Sequence, residues 1–68
     1  MFSLTTALCA LWVLMSKDGA DDPTQWLLAK DKLDCATAIT VSMANNYNRA
    51  IPGYWFALPL DWKPGHDS

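Results

Sequence analysis

The residues with the most chemistry to offer are two cysteines, Cys9 and Cys35, and a single histidine, His66. A catalytic thiol needs a base within hydrogen-bond distance and a further group that orients the base, and His66 is the only imidazole available. A structural zinc site needs about four Cys or His ligands, whereas this chain has three, widely separated in sequence. We therefore predict no catalytic residue, no metal site and no cofactor. At most one internal disulfide can form, and the sequence leaves open whether it does.

The seven acidic residues are all aspartates, and they do not suggest acid–base catalysis. Such catalysis needs a pocket that raises the pKa of one carboxyl group. Asp31 and Asp34 lie beside Lys30 in a polar stretch, which is typical of a solvated surface. The net charge is −2 and the pI is near 4.8, so the chain lacks the basic surface of a nucleic-acid-binding protein. We expect neither an enzyme nor a nucleic-acid partner.

The composition favours binding instead. Half of the chain (51%) is hydrophobic, and four of its 68 residues are tryptophan, a residue type that is enriched at interface hot spots. Ala36, Thr40 and Ala44 recur at intervals of four, a spacing that lets a second helix approach closely, although alanine is also simply the best helix former. The residues predicted to bind a partner are Trp12, Trp26, Ala36, Thr40, Ala44, Tyr54, Trp55, Phe56 and Trp62.

The element that must position Trp12 is the first segment, residues 1–17, which carries no charged side chain before Lys17. We predict a hydrophobic helix there, because a helix that is apolar all round is buried in a core, a membrane or a partner. At about 22 Å it is shorter than the roughly 30 Å hydrocarbon layer, so it is expected to insert among partner helices. Two alternatives are a removable signal segment, which would lack the usual positive start, and a segment buried in a self-contained core.

The second segment begins after an acidic linker, residues 18–21, and is predicted to be an amphipathic helix over residues 22–50. Its start signal is the run from Asp22 to Gln25, with an acidic N-cap and proline at the first helical position. Apolar and small residues follow at helical spacing and form one stripe, which is expected to pack against the partner or the first segment. The stripe comprises Trp26, Ala29, Leu33, Ala36, Ile39, Thr40, Met43, Ala44 and Tyr47.

The third segment, residues 51–68, is predicted to be an extended tail rich in proline and aromatic residues, with one short strand over residues 54–58. Three prolines exclude a continuous helix. The tail is expected to lie across a partner with Trp55 and Trp62 as anchors. An alternative folds its aromatic side chains back onto Trp26, Leu33 and Met43 to close a small private core.

Together these patterns predict an all-α chain with an N-terminal hydrophobic helix, one amphipathic helix and an extended tail. The corresponding function is a non-catalytic accessory or structural subunit of a larger, membrane-embedded complex, which contacts both the membrane and larger protein subunits. The alternatives are a secreted or periplasmic small binding protein with an N-terminal signal segment, and a soluble component of a virion or other assembly.

Overall fold

An antiparallel sheet of three strands and one helix make up the chain in its computed structural model, which describes residues 7–48 and 52–65. The strands are β1 (Leu8–Leu14), β2 (Trp26–Asp34) and β3 (Tyr54–Pro59), arranged in the order β2-β1-β3. The helix, α1, spans Cys35–Asn48. The prediction of an all-α fold is therefore wrong.

The hydrophobic helix predicted for residues 1–17 is replaced, within the described residues, by β1. This strand is central and pairs with both neighbours, and Ala10, Leu11 and Leu14 are buried. A strand covered on both faces needs no polar alternation, so its continuous apolar run resembles a buried helix in sequence. No helix in the described part of the chain is long and apolar enough to cross a membrane. The predicted membrane-retained N-terminal helix is therefore wrong.

The acidic linker predicted at residues 18–21 is partly a 3₁₀ turn, Lys17–Gly19, and a second 3₁₀ turn follows at Pro23–Gln25. The cap predicted at Asp22 does form: its carboxylate accepts hydrogen bonds from the hydroxyl group (2.8 Å) and the backbone N–H (3.1 Å) of Thr24. These bonds lower the pKa of the Asp22 carboxyl group. The cap starts only one short turn, however, because the chain from Trp26 onward pairs with β1.

The amphipathic helix predicted over residues 22–50 is wrong in its first half, where β2 forms. This strand runs antiparallel to β1 with two one-residue register shifts, and Lys32 within it has a positive φ of 57°. Such irregularities are typical of β-bulges, which bend an edge strand and disrupt its ladder. The helix begins at Cys35, and the carboxylate of Asp34 accepts a hydrogen bond from the backbone N–H of Thr37 (3.2 Å).

Within the extended tail predicted over residues 51–68, the short strand expected at residues 54–58 is present as β3 (Tyr54–Pro59), but it pairs with β1 along its length and is part of the sheet. The turn before it needs a glycine. Gly53 has a φ of 115°, and a Cβ atom there would lie 2.8 Å from Cγ2 of Val13. Residues other than glycine rarely adopt this backbone conformation. The glycine thus lets the chain enter β3 against β1.

The two faces of the sheet are covered differently. Side chains paired across antiparallel strands share a face, so Trp12 lies on the same face as Phe56, and Val13 lies on the opposite face with Trp55. Cys9 lies four residues before Val13 in β1, so the two side chains share a face, and Cys9 is bonded to Cys35. The helix therefore starts on the Val13 side. The Trp12 side carries no α-helix among the described residues. Residues of the turns, such as Trp62 after β3, cover this face of the sheet instead.

Candidate functional site

The face of the sheet without the helix carries four aromatic rings, Trp12, Trp26, Phe56 and Trp62, which we call the aromatic cluster. Trp26 is at its centre, with ring centroids 5.3 Å from Phe56 and 4.9 Å from Trp62, and Trp12 lies 5.3 Å from Trp62. The two Trp–Trp pairs have edge-to-face geometry, which aromatic rings favour over flat stacking. The rings therefore pack on one another, and they do not present parallel flat surfaces to a ligand.

The chain itself closes much of this cluster. The indole N–H of Trp26 donates to the backbone carbonyl of Ala20 (2.9 Å) in the β1–β2 connection. Trp62 follows β3, and its backbone N–H donates to the carbonyl of Pro59 (3.0 Å). The buried indole N–H of Trp12 has no partner in the described residues, so packing and not hydrogen bonding holds this ring. The aromatic cluster is thus a second packing unit of the fold, in which Trp12, Trp26 and Trp62 are half-buried and Phe56 keeps 36% of its exposure.

A disulfide between Cys9 and Cys35 joins β1 to the start of α1, with a Cα–Cα distance of 4.9 Å. The backbone N–H of Cys35 also donates to the carbonyl of Ala7 (3.2 Å), so the two segments are held by both kinds of bond. Both sulfur atoms are part of the disulfide, so neither is a free thiol that could act in catalysis. Among the described residues no three His, Cys, Asp or Glu side chains are grouped for a metal, and His66 lies outside these residues.

The far end of α1 covers the outer edge of β3. The side-chain amide of Asn46 donates to the carbonyl of Trp55 (2.7 Å) and accepts from its backbone N–H (2.8 Å), as a neighbouring strand would. The buried hydroxyl group of Ser42 donates to the same carbonyl (2.6 Å). An unpaired strand edge is a template for aggregation. These two polar side chains therefore protect the edge and turn one face of α1 towards the sheet.

Small side chains make the inner face of α1: Ala38 is completely buried and Ser42 nearly so. The α1 part of the stripe that was expected to pack against a partner or the first segment faces solvent in the single chain. Ile39, Met43 and Tyr47 retain 49%, 66% and 89% of their full exposure, and Ala36, Thr40 and Ala44 are exposed as well. We call these six residues the outer α1 face. The helix contains no charged residue along its 14 positions, and an uncharged apolar stripe of this kind is typical of an interaction surface.

An open groove of about 700 Å³ lies beside the start of β3. Met15, Lys17, Tyr54 and Phe56 are among the residues that line it. The ammonium group of Lys17 lies 5.5 Å from the centre of the Tyr54 ring. This distance is within the range of a cation–π contact.

The residues predicted to bind a partner are therefore divided among several places. The aromatic cluster contains Trp12, Trp26, Phe56 and Trp62, and the outer α1 face contains Ala36, Thr40 and Ala44. Tyr54 lines the groove, and Trp55 lies on the helix-bearing face with its backbone bonded by Asn46. The alternative in which tail aromatics fold back is observed for Trp26, but Met43 takes no part, because it faces solvent.

Three large residues of the outer α1 face, Ile39, Met43 and Tyr47, belong to the stripe expected to pack against a partner or the first segment, but they were not named individually as partner-binding residues. They recur at intervals of four, so they share one side of a helix. Their spacing and the absence of charged residues from Cys35 to Asn48 were the sequence signals that mark them for contact with a partner.

No protein-family model, curated protein or solved structure matches this chain.

Proposed function

We propose that this chain is a non-catalytic protein-binding module that docks onto its partner through the outer α1 face. The observation that carries the proposal is the exposure of Ile39, Met43 and Tyr47 on a helix that has no charged residue. Small domains bury such residues when they can, because each large apolar side chain contributes about 1.5–3 kcal/mol when it leaves water. Here the inner face is made of small and polar residues, so the large ones are left for another molecule.

The disulfide supports a role outside reducing compartments. Disulfides persist in secreted, periplasmic and surface proteins and are rare in the cytosol. Cys9 and Cys35 lie 26 positions apart, and their bond anchors the start of α1 to the sheet. A helix held in place in this way loses little further conformational entropy on binding. We therefore favour a small binding protein of an oxidising compartment, in which Leu8–Leu14 acts as a structural strand.

This proposal keeps the accessory role expected from the sequence and, of the surfaces expected to perform it, keeps only the stripe on α1. The tail aromatics were expected to clamp a partner, but Trp62 packs on Trp12 and Trp26. Rings that pack on one another cannot supply their full contact area to a partner without a rearrangement of the cluster. The outer α1 face needs no such rearrangement.

A site-specific photo-crosslinker tests the proposal. Benzoylphenylalanine at position 43, in the cells that make the chain, should give a discrete covalent adduct that is seen by intact mass spectrometry. The same probe at position 15 is the control, since Met15 is also an exposed methionine but lies outside α1. Absence of an adduct at position 43, or the same adducts at both positions, would refute the proposal.

A further inference from the structure

We infer that the occupant of the outer α1 face is the outer α1 face of a second copy of this chain, packed antiparallel. This inference rests on the proposed function and names the partner. Its starting point is the charge distribution: α1 has no charged residue, while the charged residues of the described chain lie on β2 and in the turns. Partners that differ from one another usually select each other by complementary charges around the contact. The outer α1 face offers none, and a second copy requires none.

The spacing of the large residues is self-complementary. In a two-fold antiparallel pair centred on Met43, residues whose numbers sum to 86 lie opposite one another. Ile39 of each copy then faces Tyr47 of the other, and the two Met43 side chains meet at the axis. A two-fold contact uses the same patch on both subunits, and such dimers are the commonest oligomers of soluble proteins.

The small residues beside this row permit close approach. Ala36, Thr40 and Ala44 are exposed along the adjacent side of the helix, and short side chains let two helix backbones pack closely. An antiparallel arrangement also places the N-terminal end of each helix beside the C-terminal end of the other, which favours the pairing of the two helix dipoles. A parallel pair would place like ends of the two helix dipoles side by side, which is unfavourable.

The small size of the surface indicates a weak dimer. A 14-residue helix is about 21 Å long and, with its side chains, about 10 Å wide. A pair of such faces buries less than the roughly 1,600 Å² of a standard interface and falls in the class of weak, reversible contacts. We therefore expect a dimer that dissociates on dilution.

Sedimentation equilibrium of the oxidised full-length chain tests the inference. The apparent mass should rise from one towards two chains as the concentration increases from about 5 µM to about 1 mM, the range for a weak contact. Met43→Lys should weaken the dimer at least about 30-fold, because it places two like charges at the axis. Met15→Lys, the matched control at a 55% exposed methionine outside α1, should leave the dissociation constant within about two-fold.

A mixing experiment tests the antiparallel register. Ile39→Lys alone and Tyr47→Glu alone should each weaken self-association. An equimolar mixture should recover dimers, because the introduced lysine of one chain faces the introduced glutamate of the other while the remaining Ile39–Tyr47 contact is intact. Circular dichroism of each variant checks that α1 still folds. Failure of the mixture to associate more strongly than either variant would overturn the register.

The outcomes also separate the inference from the proposed function. A wild-type chain that stays monomeric throughout, or a Met15→Lys chain that weakens as much as Met43→Lys, overturns the second copy as occupant. If a monomeric chain still gives a discrete adduct of another mass with the probe at position 43, the binding function stands and only the identity of the partner is wrong. If neither dimer nor adduct forms, both fail.

Discussion

The aromatic cluster and the outer α1 face are both rich in apolar side chains. In the cluster these side chains pack on one another, whereas on the outer α1 face they remain exposed to solvent. The cluster draws its four rings from all three strands and the turn after β3, and the rings pack within about 5 Å of one another. The outer α1 face draws all its residues from one helix, and Tyr47 remains 89% exposed. The comparison shows that a high aromatic content does not by itself mark an interface. Exposure in the folded chain decides which apolar residues are available to a partner.

The difference follows from how each region meets the sheet. On the side of Trp12, no helix is available among the described residues, so large rings must fill the space above the strands. On the side of α1, Ala38 and Ser42 allow the helix to lie close to the sheet, and hydrogen bonds to Trp55 fix its rotation. The large residues of α1 are thereby turned outward.

The largest expected effect comes from breaking the link that attaches the outer α1 face to the rest of the fold. Cys9→Ala combined with Cys35→Ala should lower the free energy of unfolding by about 3–4 kcal/mol, because the disulfide closes a long loop that is free in the unfolded chain. Urea denaturation with and without reductant measures the loss. The double variant should be insensitive to reductant, and a wild-type chain that is equally insensitive would contradict a structural role for the bond.

A pair of aromatic truncations tests the comparison most directly. Trp26→Ala should cost about 3 kcal/mol, because it removes the ring at the centre of the aromatic cluster and leaves a cavity. Tyr47→Ala should cost less than about 0.5 kcal/mol, since most of its ring is exposed. Urea denaturation at a concentration that keeps the chain monomeric gives both values. Equal losses would mean that the two regions do not differ in the way described.

A smaller effect is expected at the polar contacts that orient α1. Asn46→Ala should destabilise the chain by about 1–2 kcal/mol, because the backbone N–H of Trp55 loses its acceptor at the strand edge. Asn48→Ala is the matched control, an exposed asparagine two positions further along the same helix. Thermal unfolding followed by circular dichroism compares them. If Asn48→Ala were as damaging as Asn46→Ala, the loss would come from the helix itself and not from its contact with β3.

Part of the fold could be predicted from local sequence. A helix does occupy the second half of the range predicted for it, and the Asp22 cap, the proline after it and a short strand near residue 54 are all present. Residues 26–34 could not be assigned correctly, because Trp26, Ala29 and Leu33 also fit helical spacing. Only the pairing of β2 with β1 reveals that this stretch is a strand.

The candidate site was harder to predict than the fold. Helical spacing placed Ala36, Thr40 and Ala44 on one stripe, but a periodic pattern shows only which residues share a side of a helix. It cannot show which side meets the sheet when both sides lack charge. Ile39 and Met43 were expected on the same argument to pack against a partner or the first segment, and the first segment does not cover them, because they face solvent.

The sequence by itself determined local features of this protein: an uncharged apolar stretch that must be buried, helical spacing within residues 22–50, and the acidic cap at Asp22. Tertiary structure alone decided that the apolar stretch is a central strand, that Cys9 meets Cys35, and that α1 turns its large residues outward. The reason is that strand pairing and helix orientation depend on contacts between residues far apart in the chain. Local propensities and spacing carry no information about such contacts.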